Sequence, residues 1–140
     1  TAGRPDEPGT FSPNLPYRMK TSVLLVGLKS SAVDFDKWPQ LSVEKLEQAF
    51  ASILAELTES GFDARWCLTD ADESAQEQLA SALREHSPEV VVIGAGLRAA
   101  PDHLLLFEPM INTIVKELPG CRIAFNTLPF DTVEAVKRWA

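Results

Sequence analysis

The residues best suited to chemistry gather around one glycine turn. Gly94 and Gly96 come directly after the β-branched run Val90 to Ile93, and Arg98 follows two residues later. Glycine allows a tight turn because it has no Cβ. A guanidinium can hold a carboxylate or a phosphate through two parallel hydrogen bonds. The spacing therefore predicts a binding site for a small anion, and the simpler alternative is that Arg98 forms only a surface ion pair.

Further polar side chains lie just beyond other apolar runs. Lys29 could add positive charge, and Asn126 and Thr127 could orient a polar ligand. His103 is the candidate general acid or base because imidazole exchanges protons readily near neutral pH. The plainer interpretations are a solvated lysine, turn side chains bonded to the backbone and a surface histidine. His103 and Glu108 would form an acid–base pair only if a kink in the helix brings them together.

The familiar cofactor motifs are incomplete. A dinucleotide site needs GxGxxG after the first strand, whereas the glycine pair here follows the third strand and lacks the third glycine. A P-loop is absent, and Lys29 and Gly94 stand where a phospho-receiver domain needs acids. Cys67 and Cys121 have neither metal-ligand spacing nor a neighbouring histidine cluster. We therefore expect neither a cofactor nor a metal.

Strand and helix signals alternate along the chain and would position these residues. Four apolar runs predict strands, at Ser22–Leu28, Phe62–Leu68, Val90–Ile93 and Cys121–Phe125. Helical spacing of apolar residues follows each of them, and the predicted helix starts are Ser42, Ser74, Pro101 and Asp131. Ser74 and Asp131 each open a capping-box pattern, and Gly61 is a predicted C-cap. Pro109 is expected to kink or break the third helix near Glu108.

This order predicts an α/β fold. We expect a three-layer sandwich with a four-stranded parallel sheet of order 2-1-3-4, a truncated flavodoxin-like or Rossmann-like arrangement. In that order the ligand crevice lies between strands 1 and 3, at their carboxyl ends. Lys29, the glycine turn and Asn126 would meet there. The last strand would be an exposed edge, which a homodimer would cover.

The first part of the chain differs from the rest. Residues 1–20 hold four of the ten prolines and are predicted to be an extended arm or a non-native tail. A tail is favoured because Met19 directly before the first strand resembles a natural start. As an arm, the segment would be anchored by Phe11, Leu15 and Tyr17. Residues 21–140 are the single predicted α/β domain.

The composition limits which partners and which cellular compartment we expect for this protein. The net charge of −7 disfavours nucleic acid and anionic membranes, which need a basic surface. No apolar run approaches the ~20 residues of a membrane span. Cys67 and Cys121 are expected to be free thiols, which fits a reducing cytoplasm.

Three segments carry a resemblance to known proteins: VIGAGLR at 92–98, HLLLFE at 103–108 and FNTLPFDT at 125–132, with a further match at 135–139. On these segments, the span from Val23 to Trp139 resembles a family of small uncharacterised bacterial α/β proteins. The resemblance implies the fold and the domain boundaries. It implies no reaction, because the family has no established activity.

Three functions remain open for this domain, and the first two would use the predicted crevice. The first is binding of a small anionic metabolite through Arg98, Asn126 and the amino end of the third helix. The second is a small cytoplasmic enzyme with His103 as acid or base and Arg98 as the substrate clamp. The third is a non-catalytic module that dimerises through the third helix or the fourth strand. We favour the first because few side chains are suited to acid–base catalysis.

Overall fold

Strands and helices alternate through the residues that the computed structural model describes, which are 20–36, 38–97, 103–127 and 131–140. The elements are β1 Ser22–Leu28, α1 Val43–Glu59, β2 Asp63–Thr69, α2 Ser74–His86, β3 Val90–Ile93, α3 Leu104–Glu117, β4 Arg122–Phe125 and α4 Thr132–Trp139. The strands pair in parallel in the order β2-β1-β3-β4. The predicted α/β fold and strand order are confirmed. The predicted N-terminal arm, except for Lys20, lies outside the described residues.

Helices cover both faces of the sheet and complete the three-layer sandwich. β3 is the most buried strand, and its four residues are at most 2% exposed. One face packs on α2 and α3 through Leu24, Val26, Leu79, Leu83, Met110 and Ile114. The other face packs on α1 and α4 through Val23, Leu25, Ile53, Leu57, Val133 and Val136. Alternate residues of a strand point to opposite faces, so β1 contributes to both cores.

Local signals set both ends of α1 as the sequence predicts. The Ser42 hydroxyl accepts a hydrogen bond from the backbone N–H of Lys45 at 3.2 Å, which caps the amino end. At the other end, Gly61 has a φ of 92°. Its N–H and the N–H of Phe62 donate to carbonyls of the last helical turn, which is the Schellman arrangement. These caps set the two ends of α1.

Helix α2 begins differently from the prediction. Ser74 is its first helical residue and not its N-cap. The capping side chain is Asp72, whose Oδ1 accepts a hydrogen bond from the Ser74 N–H at 2.9 Å and contacts the Ser74 hydroxyl. A carboxylate is also favoured at a positive helix end. The prediction of a capping box at Ser74 is therefore wrong by two residues.

Helix α3 runs through its internal proline. The predicted start at Pro101 lies outside the described residues, and α3 begins at Leu104. It continues without interruption past Pro109, so the helix does not break near Glu108. Proline removes the hydrogen bond that would reach the carbonyl of Leu105. Leu105 is 80% exposed and lies on the solvent side of α3, where the loss of one helical hydrogen bond costs less than it would in the core.

The edge strands β2 and β4 each begin one residue later than predicted, at Asp63 and Arg122. In β2 the amino half is partly exposed, whereas Cys67 and Thr69 near its carboxyl end are buried. In β4 the first and last residues, Arg122 and Phe125, are exposed. Both edges of the sheet are thus only partly covered by the residues described.

Candidate functional site

A cleft of about 790 Å³ opens at the carboxyl edge of the sheet. β1 contributes Gly27, the turn after β3 contributes residues 94–96, and the chain after β4 contributes Asn126 and Thr127. The opposite wall is formed by α1 and by the connection that leads into it. The volume lies within the range of small-molecule sites. Its position at β1 and β3 is where open parallel sheets bind ligands.

The two glycines of the turn have different surroundings. The Gly94 N–H donates to the Val26 carbonyl at 2.9 Å. A Cβ on Gly94 would lie 3.1 Å from that same oxygen, so a side chain there must displace backbone. Gly96 is exposed, and nothing lies within 4 Å of a Cβ built on it. Close approach of β1 and the turn therefore requires glycine at 94 only.

Asn126 ties three elements together beside the cleft. Its side chain is 7% exposed in the described structure. Oδ1 accepts a hydrogen bond from the Ala95 N–H at 2.8 Å, and Nδ2 donates to the Thr132 hydroxyl at 2.8 Å. The end of β4, the turn after β3 and the start of α4 are thereby joined. One amide N–H and one lone pair of Asn126 remain for other partners.

Thr127 closes the turn after β4. Its N–H donates to both carboxylate oxygens of Asp131, at 3.0 and 3.2 Å, and its hydroxyl contacts Oδ2. Asp131 occupies the N-cap position of α4, but its carboxylate bonds to Thr127 and caps none of the described helix amides. The predicted capping box at Asp131 is therefore replaced by a side-chain turn.

His103 stands at the rim of the cleft with its ring anchored. Nδ1 lies 2.9 Å from the Gly96 carbonyl oxygen. A carbonyl oxygen only accepts, so Nδ1 carries the proton of this bond. Nε2 is then the acceptor in the neutral ring and a second donor in the imidazolium. The hydrogen bond of the His103 ring in the described structure is to Gly96 and not to Glu108, so the predicted acid–base pair is not formed.

Lys29 belongs to a different cluster at the edge between β1 and β2. Its ammonium group lies 3.1 Å from Oδ2 of Asp70. Gln78 donates to the same oxygen at 2.8 Å and accepts from the Asp70 N–H at 3.0 Å. Hydrogen bonds from Gln78 and then Lys29 lower the pKa of the Asp70 carboxyl below its ordinary value. Lys29 is thus engaged with Asp70 and is not among the described residues lining the cleft.

Arg98, the predicted anion contact, lies outside the described residues. Among those described, the charged side chains that line the cleft are Asp34, Lys45 and Glu56. Lys45 is therefore a cation of the cleft that sequence reasoning missed. It lies in the first turn of α1, and no local pattern links that turn to the glycine turn.

The apolar wall of the cleft was also missed. Its aromatic members are Trp38 on the connection after β1, Phe50 on α1 and Trp66 on β2. One signal for it was present in the sequence, because a glycine inside a strand often marks a close approach of another group. Gly27 is that residue, and a Cβ on it would lie 3.3 Å from the Trp66 ring.

The cysteines take no part in the cleft. Cys67 and Cys121 are free, and burial raises the pKa of the Cys67 thiol to about 11. Burial also raises the pKa of Cys121. Both thiols are therefore protonated and weakly nucleophilic at neutral pH. In the part of the chain that is described, no group of three or more potential ligand side chains could hold a metal ion.

The fold and the cleft define a class of protein, a small parallel α/β domain with a ligand-sized concavity at the carboxyl edge of its sheet. No protein-family model, curated protein or solved structure matches this chain. The resemblance to small bacterial α/β proteins therefore stays a prediction. No helix among the described residues is long and apolar enough to cross a membrane.

Proposed function

We propose that this domain binds a small anionic metabolite in the cleft at the carboxyl ends of β1, β3 and β4. The observation that carries the proposal is the cleft of about 790 Å³ beside the glycine turn. Apolar walls with a few polar groups at one end are typical of small-molecule sites. The site also coincides with the point at which the strand order reverses, where parallel sheets receive their ligands.

Three side chains support an anionic ligand. Lys45 lines the cleft, and Arg98 follows the turn Ala95–Leu97 directly in the chain. His103 is anchored through Nδ1, so its Nε2 in the imidazolium form would donate to an anionic oxygen. A carboxylate or phosphate that contacted these side chains would gain charge-assisted hydrogen bonds.

A thermal-shift screen of carboxylated and phosphorylated metabolites tests the proposal. At least one anion should raise the unfolding midpoint, and a ligand at one hundred times its Kd stabilises by about 2.7 kcal/mol. Arg98→Ala should lose most of that shift. Arg84→Ala is the matched control, since it removes the same charge from an exposed site on α2. The proposal fails if no compound raises the midpoint or if Arg98→Ala retains the full shift.

A second candidate function is catalysis at the same cleft. The observation that favours it is the bond from His103 Nδ1 to the Gly96 carbonyl, which leaves Nε2 of the neutral ring as a base. Incubation with pooled metabolites, followed by mass spectrometry, should then reveal a substrate that changes mass. His103→Gln should abolish the conversion. Equal conversion by the variant, or no conversion of any compound, would leave binding as the function.

We also propose a cytoplasmic location, because both thiols are free and reducing compartments keep thiols in that state.

A homodimer through α3 or β4 is supported by apolar side chains that are exposed on these two elements. Leu104 is 56%, Val115 54% and Phe125 38% exposed. Sedimentation should give the mass of two chains for the wild type and of one chain for Val115→Glu. A wild-type monomer at tens of micromolar would contradict the dimer.

A further inference from the structure

We infer that the ligand of this cleft carries a flat aromatic ring and a single acidic group, so that the ring stacks on an aromatic surface formed by Phe50 and Trp66. The inference rests on the proposed binding function and narrows it from small anions in general to aromatic monoacids. It is drawn from the packing of the cleft wall and from the charges around it.

Contacts within the protein hold the two rings of the aromatic surface against each other. The ring centroids of Phe50 and Trp66 lie 4.5 Å apart, with the planes tilted by 47°. The Trp66 indole N–H donates to the Phe50 carbonyl at 3.0 Å, which fixes the ring. Both side chains are half-buried and line the cleft. A ligand ring that stacks here therefore immobilises little that was free, which favours affinity.

The sheet below is shaped to hold this surface. Gly27 is a buried residue within β1, and a Cβ on it would approach the Trp66 ring to 3.3 Å. The same Cβ would lie 4.0 Å from the Phe50 ring. The missing side chain lets both rings approach β1 closely, and Gly27 itself lines the cleft. A larger residue at 27 would push the indole outwards.

A third ring approaches from the connection after β1. Trp38 lines the cleft and is half-buried. Its backbone is held in successive turns, with its N–H bonded to the Phe35 carbonyl at 3.2 Å and its carbonyl bonded to the Leu41 N–H at 2.9 Å. Aromatic groups attract each other in offset or edge-to-face geometry, beyond the area they bury. Three aromatic side chains on one cleft therefore favour an aromatic ligand over an aliphatic one.

The charges of the cleft restrict the acidic part of that ligand. Among the described lining residues, Asp34 and Glu56 are acidic and Lys45 is basic. This balance opposes a ligand with several phosphate groups, because like charges repel in a partly enclosed site. One carboxylate can be met by Lys45 or by the His103 imidazolium. An aromatic monocarboxylate satisfies both the rings and the charges.

The three tryptophans give the inference a direct test. Trp38 and Trp66 line the cleft, whereas Trp139 lies outside it at the end of α4. We would titrate 15N-labelled protein with 2-naphthoate and with decanoate, an aliphatic monocarboxylate. 2-Naphthoate should shift the indole N–H signals of Trp38 and Trp66 and leave that of Trp139 in place. It should also bind about three to ten times more tightly than decanoate.

Removing one ring provides the matched pair of variants. Phe50→Leu keeps an apolar side chain but removes a ring. It should lower the affinity for 2-naphthoate to the affinity for decanoate. Phe62 is half-buried and does not line the cleft. Phe62→Leu should therefore still bind 2-naphthoate more tightly than decanoate. If Phe50→Leu fails to fold, the wild-type comparison of the two acids decides alone. Equal affinities with shifts at Trp38 and Trp66 would overturn the aromatic inference and leave the binding function standing.

Two other outcomes would also overturn the inference. One is that 2-naphthoate shifts the indole signal of Trp139 and neither of the cleft signals. The other is that neither acid shifts any indole signal at millimolar concentration. If the metabolite screen still yields an Arg98-dependent anion in that case, only the aromatic inference is lost, and without such an anion the binding function fails as well.

Discussion

Gly94 and Gly96 look alike in the sequence, yet only one of them lacks room for a side chain. A Cβ on Gly94 would meet the Val26 carbonyl oxygen at 3.1 Å, and a Cβ on Gly96 would meet nothing within 4 Å. Gly94→Ala should therefore destabilise the fold by about 1–3 kcal/mol, since the backbone must shift. Gly96→Ala should change stability by less than about 0.5 kcal/mol. Urea unfolding of both variants measures the difference, and equal losses would contradict this account of the turn.

The Asp70 cluster makes stability depend on acidity. Hydrogen bonds from Gln78 and Lys29 lower the pKa of the folded Asp70 carboxyl below 3.8, its ordinary value. The folded state thus binds this proton less tightly than the unfolded state, so the stabilisation is present above the ordinary pKa and is lost as the pH falls through the folded pKa. Asp70→Asn should reduce the loss of stability on acidification. The free energy of unfolding in urea, measured for both proteins at about pH 5 and about pH 2.5, gives the loss of stability in each.

The two partners of Asp70 provide an internal control. Both Gln78 and Lys29 lower the pKa of Asp70, so Gln78→Leu and Lys29→Met should each flatten the pH dependence of stability. If all three variants keep the wild-type dependence on pH, the cluster does not lower the pKa of Asp70.

A buried hydroxyl at the end of β2 should cost stability. Thr69 is fully buried, and its Oγ1 has no hydrogen-bond partner among the described residues. Thr69→Val keeps the shape and removes the unpaired group, so it should raise stability by about 1 kcal/mol. Thr58→Val is the control, because the Thr58 hydroxyl is exposed and bonded to the Leu54 carbonyl at 2.8 Å. A loss of stability in Thr69→Val would show that the hydroxyl has a partner.

Among the elements, the turn after β3 depends on a contact from the chain after β4. Asn126 bonds to the Ala95 N–H and to the Thr132 hydroxyl, and both bonds are lost in Asn126→Ala. That variant should be destabilised by about 2–3 kcal/mol, and the Ala95 amide should exchange its hydrogen faster. Thr127→Val, next in the chain, should leave the protection of Ala95 unchanged. Unaltered exchange in Asn126→Ala would contradict the bridging role.

Helix α3 shows why one alternative of an element-level prediction, a break at Pro109, was wrong. An interior proline predicts a kink or a break. The sequence pattern does not show whether the residues preceding Pro109 face solvent. Because Leu105 is exposed, losing its hydrogen bond costs less than it would in a core. The ring of His103 bonds to the Gly96 carbonyl and not to Glu108, so the acid–base pair that the sequence allowed is not formed in the described structure.

At the scale of the whole molecule, the strand order followed from the sequence because strand and helix signals alternate regularly and β3 is a continuous β-branched run. The location of the cleft followed from that order. Most of its wall could not be predicted, because only the three-dimensional fold brings α1 to the same cleft as the glycine turn. Gly27 was the one signal for the wall in the sequence. The contact between Lys29 and Asp70 could not be predicted either, because these residues are 41 positions apart and only the fold brings them together. Arg98 lies outside the described residues, so its role stays a prediction.

The central claim is that the cleft is the binding site, and filling it tests the claim most directly. Ala49 on α1 lines the cleft, whereas Ala51 on the same helix is exposed and does not line it. Calorimetric titration would compare the strongest ligand of the screen on the wild type, Ala49→Trp and Ala51→Trp. We predict one site per chain, unchanged affinity for Ala51→Trp and a loss of about tenfold or more for Ala49→Trp. Equal affinity in all three proteins would show that the ligand binds elsewhere.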